Sequence, residues 1–502
     1  MQLRVNAPVR LTHATLDALR GARPAYDPRD IRIGIIHLGL GNFHRAHQAV
    51  YTDDVLARDP RWGICGVSLK SRGVVDALRA QDHLYSVVTK SSEGTGRGGT
   101  AARVIGSVRE ALCGSDEMAQ VIDRISAAGT HLVTLTITEK GYCHDPAGGK
   151  LNFAHPDIAH DLQYADAPRS ALGALLRGLC ARKALAPTVS GRLTILSCDN
   201  LPHNGATLAG LMREFSSAAD ASMTAWIEHN VTFPSSMVDR IVPATTDADI
   251  TATATLLGAH DAAPVMTEPF SQWVIENNFA GARPAWEEAG AQLVQDVAPY
   301  ELMKLRLLNA AHSAMACLGY LAGHEFIHQA SNDPLFARMV ERLWDEAAPT
   351  LPPLAGFDIP AYRRELMARF RNNALPHRTW QIAMDGSQKL PQRILNTVRD
   401  RIAAGASIDT LALAVAGWMR YVGGADEAGK PIDVRDPLAA ELSRIATESR
   451  ATPAALCKRL FALKAIFGDD LPRAGVFTAK VRSHLESLTQ HGTRATLENF
   501  VP

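Results

Sequence analysis

Residues 31–47 read IRIGIIHLGLGNFHRAH. A short apolar run ends in Gly39-Leu40-Gly41, and a helix-like stretch, HQAVYTDDVLARD (47–59), follows. Strand, glycine turn, helix is the opening of a dinucleotide-binding unit. Gly39 would permit the tight turn. Gly41 would let the backbone approach a pyrophosphate seated on the helix N-terminus. The third glycine of a G-x-G-x-x-G signature is absent, and His44 stands in its place.

Working outward, WGICGVSL (62–69), THLVTLTIT (130–138) and RLTILSCDN (192–200) read as further buried strands, with a helical stretch at 169–184. Strands alternating with helices predict an α/β chain: a parallel, doubly wound Rossmann-type sheet. The first 28 residues read as a lead-in helix and an arm, and GTGRGG (94–99) as a loop. Past about residue 285 the character changes. A single long helix is expected from Pro299 to Leu321, and residues 333–490 are Ala/Leu/Arg-rich with helical periodicity. The expected division is therefore a dinucleotide-binding domain over 1–285 and a largely α-helical domain over 286–502.

The 502 residues carry 52 basic and 52 acidic side chains, so no net charge draws the chain to nucleic acid or an anionic membrane. With 46% apolar and 21% charged residues, disorder is excluded as well. Seven scattered cysteines form no C-x-x-C pair, which argues against a zinc cluster or a disulfide framework and for a reducing compartment. Neither a secretion signal nor a membrane-length apolar run is evident, so a cytoplasmic address is expected. Neither G-x-S-x-G nor H-E-x-x-H occurs, so hydrolase chemistry is not indicated.

The second predicted strand ends Ser68-Leu69-Lys70-Ser71-Arg72. An acid that would hold the ribose hydroxyls of NAD is missing there, and two cations stand in its place. Lys70 and Arg72 would tolerate the extra phosphate of NADP.

Chemistry concentrates in two stretches. On a helical wheel of roughly 100° per residue, Glu301, Lys304, Asn309 and His312 span an arc of about 140°. A lysine can exchange a proton with an alcohol, an amide can hold a developing alkoxide, and an imidazole can orient a hydroxyl. The second stretch, Ser197 to Gly205, lies at the carboxyl end of a predicted parallel strand, where doubly wound folds bind ligands. Asn200 could donate to the same oxygen.

With these residues in view, the chain resembles the long-chain polyol dehydrogenases, the mannitol dehydrogenase family. The matching pieces are HLGLGNFHRAHQAVYTDD (37–54), TLTITEKGYC (134–143), LSCDNLPHNG (196–205), FPSSMVDRIVP (233–243), EPFSQWVIENNF (268–279), PYELMKLRLLNAAHS (299–313) and HRTWQIAMDGSQKLPQR (377–393). The resemblance implies metal-independent hydride transfer between NAD and a sugar-derived alcohol or ketone, in a cleft between the two domains. It implies Lys304 as the general acid/base, Asn200 and Asn309 as the oxyanion pocket, His312 on the substrate and Glu301 as a proton relay. Gly39, Gly41, Asn42, Phe43, His44 and Arg45 become candidate cofactor contacts, and Asp239 a substrate-pocket or cofactor-side residue.

The segment 377–393, EKGYC (139–143) and GWMRYVGGADEAGKPIDVRD (417–436) look closest to the fructuronate-reductase branch. That implies D-mannonate and D-fructuronate as the pair, ahead of D-mannitol and D-fructose or D-arabinitol. A uronate carboxylate needs a cation, and His377, Arg378, Lys389 and Arg393 are available. A non-catalytic nucleotide sensor would have lost Lys304 or the asparagines, and all are present. The resemblance leans to a monomer or loose homodimer.

Overall fold

The computed structural model describes residues 9–92, 99–145, 149–185, 191–353, 357–449 and 452–500. The chain forms two compact units, Met1–Ala298 and Pro299–Pro502.

The first unit is built on strands that are apolar on both sides. In β1 (Ile33–Leu38), Ile35 enters one core while Ile36 and Leu38 enter the other. A strand of that kind is stable only with cover on both faces, which a parallel sheet flanked by helices supplies. The remaining strands are β2 (Gly63–Ser68), β3 (Tyr85–Ser91), β4 (Gly99–Ile105), β5 (Val108–Cys113), β6 (Leu132–Leu135), β7 (Leu193–Ser197), β8 (Val231–Thr232), β9 (Ser236–Asp239), β10 (Val265–Thr267), β11 (Gln272–Glu276) and β12 (Gln292–Val294). Six form a parallel sheet in the order β5-β2-β1-β6-β7-β8. The chain runs from β1 to β2 on one side and returns to β6 on the other, so the order reverses between β1 and β6. Ligands of doubly wound folds bind outside the carboxyl ends of the strands at such a reversal.

The structure adds to the sequence reading and departs from it in places. Two three-stranded sheets, β10-β3-β4 and β12-β11-β9, were not read from the sequence. Strands β9, β10 and β12 span only three or four residues, and β3 and β4 carry polar residues along their length, so their apolar runs are weak. The lead-in holds only a three-residue 3-10 turn, Leu16–Ala18, among its described residues. Of the GTGRGG loop only Gly99 falls within the described residues. The first unit extends beyond 285 because Trp286 is buried 4.5 Å from the Trp273 ring and donates its Nε1–H to Thr52 Oγ1 at 3.1 Å. Strand β12 then pairs with β11, which carries the first unit to Ala298.

The second unit is helical. Helices Ala310–Leu321 and Asp409–Val422 are buried on nearly every side and pack together at its centre. The stretch 299–321 is not one uniform helix. An α-helix (Ala298–Met303) passes into a π-turn (Lys304–Asn309) and back into an α-helix (Ala310–Leu321). The Ala310 N–H reaches the Leu305 carbonyl, a bond across five residues. A second π-turn, Pro391–Leu395, closes on the bond from the Asn396 N–H to the Pro391 carbonyl. Pro391 has no N–H to give to the preceding turn, so the ladder is already broken where the wider turn begins. The two π-turns pack against each other. Such turns occupy well under 1% of residues and gather at functional sites.

Candidate active site

The first unit presents the glycine turn. Gly39 has φ +108, in the region open mainly to glycine, and a Cβ there would lie 2.0 Å from the Thr136 carbonyl oxygen. Its N–H donates to the Val67 carbonyl at 2.8 Å. The turn is thus pressed between the ends of β2 and β6. Gly41 differs: a Cβ there would meet nothing closer than the Gly39 oxygen at 3.8 Å. That open side is the cradle a pyrophosphate needs, so the residues present fit a dinucleotide.

Behind the turn, buried imidazoles take over the work of the missing glycine. His37 and His44 stack with centroids 3.4 Å apart and planes 11° from parallel. The His37 Nδ1 pairs with Thr134 Oγ1 at 2.8 Å and its Nε2 with Thr136 Oγ1 at 2.8 Å. Burial lowers the His37 pKa to about 3, and burial followed by the neighbouring His37 pushes that of His44 well below the ordinary value. Both rings are neutral packing groups. Arg45 is also buried: its guanidinium donates to the Ala263 carbonyl and to Asn42 Oδ1 and lies 5.3 Å from the Tyr85 ring centre. His44 and Arg45 therefore hold the turn from beneath, and Asn42 spends its side-chain oxygen on Arg45. Phe43 is half-buried and stacks on His47 at 5.1 Å.

Lys70 lies 3.6 Å from Asp157, and Arg72 pairs with Asp76 and Asp116. These cations have acidic partners, which a 2′-phosphate would have to displace.

Asn200 stands exposed just past the end of β7. The residue before it, Asp199, accepts from the backbone N–H groups of Ile137 at 3.0 Å and Thr138 at 2.9 Å, and from Tyr142 Oη at 2.8 Å. Burial raises the Asp199 pKa above the usual carboxylate value. Thr138 has φ +63, an uncommon strain for a β-branched residue. Sequence reading missed Asp199 and Tyr142 as supports, although both lie inside motifs it quoted. Asp239 ends β9, opposite Gln272 and 5% exposed.

In the second unit the π-turn refines the helical wheel. Its defining bond joins residues five apart, so such residues stack. Lys304 and Asn309, at the two extremes of the α-helical arc, are drawn toward one face. Lys304 and His312 are buried, and Glu301 and Asn309 are half-buried. His312 lies 5.3 Å from the Phe370 ring and 5.8 Å from His377. Its pKa falls well below the ordinary value, first through burial and then through the neighbouring His377, Arg393, Arg369 and Lys389. His377 is lowered to about 4, by burial and then by Arg369.

The second π-turn contributes Arg393, whose Nη1 donates to Ser313 Oγ at 3.0 Å, one residue from His312. Lys389 donates to the Met384 carbonyl at 2.5 Å. Arg378 does not join the group: it is exposed, paired with Glu325 and stacked over Phe326. Arg369, 8% exposed, joins unannounced by any sequence signal beyond its place beside Phe370. Among the described residues no cluster of three His, Cys, Asp or Glu side chains is arranged to hold a metal ion, and no helix is long and apolar enough to cross a membrane.

Comparison with known proteins matches residues 33–288 to the mannitol dehydrogenase Rossmann domain and 296–489 to the mannitol dehydrogenase C-terminal domain. An uncharacterized oxidoreductase of Escherichia coli K12 is 46% identical over 95% of this chain and 97% of its own length. The D-mannonate oxidoreductase of the same organism is 44% identical over 94% of this chain and 96% of its own. The structure of Pseudomonas fluorescens mannitol 2-dehydrogenase with NAD and D-mannitol superposes with a TM-score of 0.86 at 37% identity, covering 98% of this chain and 99% of that one.

Proposed function

This chain belongs to the mannitol dehydrogenase family, and on that premise we propose that it is an NAD-dependent oxidoreductase interconverting D-mannonate and D-fructuronate. The glycine turn would hold the nicotinamide cofactor, which would supply or accept the hydride. The chain's own residues manage the oxygen and the proton. Asn200 and Asn309 offer amide N–H groups to the carbonyl oxygen, where negative charge grows as hydride arrives. The Lys304 ammonium gives that oxygen its proton, and in the reverse direction the amine takes it back. Glu301 is assigned to passing that proton on. His312, neutral because of its burial and its cationic neighbours, orients a substrate hydroxyl. Asp239 accepts from another.

The observation that carries the choice of a sugar acid is the set of cations around His312: Arg369, Lys389 and Arg393, beside the neutral His377. A neutral polyol has no use for such a field, whereas a carboxylate is stabilised by it; Arg393, which bonds Ser313 beside His312, is assigned to it. The higher identity to a D-mannonate oxidoreductase than to a mannitol 2-dehydrogenase supports the same choice.

The test is a reduced-nicotinamide absorbance assay with D-fructuronate and D-fructose side by side. Fructuronate should turn over faster. Arg393→Met should raise its KM at least tenfold and leave fructose turnover within about twofold. Faster turnover of fructose would make the protein a mannitol 2-dehydrogenase and leave the cations a structural role. Seven free cysteines, six of them buried, favour a cytoplasmic location.

A further inference from the structure

Asn204 opens the helix Asn204–Ala219 and is fully buried, four residues beyond Asn200. Its side-chain amide does unusual work. The Oδ1 accepts the Ser236 N–H at 2.9 Å, and the Nδ2 donates to the Ser236 carbonyl at 2.8 Å. The side chain thus pairs with one residue of β9 as a neighbouring strand would. The second Nδ2 hydrogen goes to the Asp199 carbonyl at 2.9 Å. One amide therefore joins the peptide that leads into Asn200 to the strand that ends in Asp239.

The surroundings leave this clasp little play. Ser236 Oγ donates to the Ser197 carbonyl at 2.6 Å, tying β9 to the end of β7. The Asp199 carboxylate is anchored on the 137–138 turn, so that residue is held from both its side chain and its backbone. His203, with φ +48, turns the chain sharply into the helix. A Cβ on Gly205 would lie 2.4 Å from the Phe233 carbonyl, so the helix start abuts the segment entering β9.

We propose that Asn204 is a positioning residue for the reaction: its amide fixes Asn200 against the strand bearing Asp239, so that the Asn200 N–H meets the reacting oxygen. The inference rests on the assignment of Asn200 as a donor to that oxygen. Only an amide of this length satisfies all three partners. A carboxylate would lose both donations and face two carbonyls, and a serine could keep at most one. Misplacing a donor by a fraction of an ångström weakens its contact with the transition state more than it weakens cofactor binding.

The experiment is a double-mutant cycle on the full-length protein, with Asn204→Ser introduced into wild type and into Asn200→Ala. Turnover is read with D-fructuronate, and NADH affinity by fluorescence titration. In wild type the serine should lower kcat at least tenfold while the NADH Kd stays within twofold. In the Asn200→Ala background the same change should cost less than threefold, because the amide it positions is gone. Ser236→Ala, which removes the hydroxyl contacts with Ser197 and Cys198 and leaves the backbone pairing with Asn204, supplies the comparison for a general loosening: it should lower Tm without matching the fall in kcat. Equal losses of kcat in both backgrounds, or a loss of NADH affinity in step with kcat, would overturn the clasp while leaving the oxyanion assignment intact. Wild-type turnover by Asn200→Ala itself would overturn both.

Discussion

Alanine at each of the two turn glycines should separate folding from cofactor binding. At Gly39 the new methyl meets two penalties. Holding φ +108 costs a non-glycine residue about 1–2 kcal/mol. The Cβ would also stand 2.0 Å from the Thr136 oxygen, so β1 and β6 must part by more than an ångström at their carboxyl ends. Three bonds cross that gap: Thr136 N–H to the Leu38 carbonyl at 2.9 Å, Thr136 Oγ1 to the Gly39 carbonyl at 2.8 Å and His37 Nε2 to Thr136 Oγ1 at 2.8 Å. At about 1 kcal/mol each, their loss brings the total to about 4–5 kcal/mol. For a unit of this size that is a fall in Tm of about 7 °C. Gly41 is extended, at φ −94, and has room for a methyl, so Gly41→Ala should melt within about 1 °C of wild type. Its methyl occupies the open side of the cradle, and NADH affinity should drop at least tenfold, about 1.4 kcal/mol. Thermal unfolding and fluorescence titration with NADH measure both. An unchanged Tm for Gly39→Ala would refute the close approach of β6, and wild-type NADH affinity for Gly41→Ala would refute the cradle.

Lys304→Ala should reduce kcat by about 10³-fold or more with the NADH Kd nearly unchanged, since the amine acts on substrate oxygen; turnover within tenfold of wild type would remove its acid/base role. Acid should destabilise the first unit through His37. With a folded pKa of about 3 against 6.5 unfolded, its contribution is complete above pH 6.5 and is lost on acidification, at about 1.4 kcal/mol per pH unit. Urea midpoints should therefore fall between pH 6.5 and 5 more steeply for wild type than for His37→Gln, and parallel slopes would contradict a neutral His37. Because Arg72 is held by Asp76 and Asp116, the enzyme should prefer NADH to NADPH. Asp76→Asn combined with Asp116→Asn should shift the ratio several-fold toward NADPH, and a constant ratio would place Arg72 outside the adenosine pocket.

What could be read from residues alone follows from how much each element depends on its own sequence. The parallel strands of the first unit announce themselves because burial on both faces demands unbroken apolar runs, as in Ile33–Leu38 and Leu193–Ser197. The side chains proposed for catalysis could be singled out in the sequence because their types are few and their spacing is local. The supports were not. His44 looked like a departure from a glycine signature, and only packing shows its ring against His37. Arg369 looked like any helical arginine until His312 and His377 came beside it.

The π-turn at Lys304–Asn309 is the case with most bearing on chemistry. No residue in KLRLLN forbids an α-helix, so local propensity gives no warning. The wider turn is a tertiary feature, packed against a second π-turn that begins at Pro391, which lacks an N–H. The difference is functional. Five α-helical residues separate two side chains by about 140°, too far for an ammonium and an amide to share one oxygen comfortably. A turn closed by a bond across five residues brings them onto one face. The spacing K-x4-N is thus matched to a π-turn, and the second turn, which carries Arg393, is what the first packs against. Lys304, Asn309 and Arg393, the residues proposed for acid/base work, the oxyanion and the carboxylate, therefore ride on one packing contact, so that a change in either turn would move all three together.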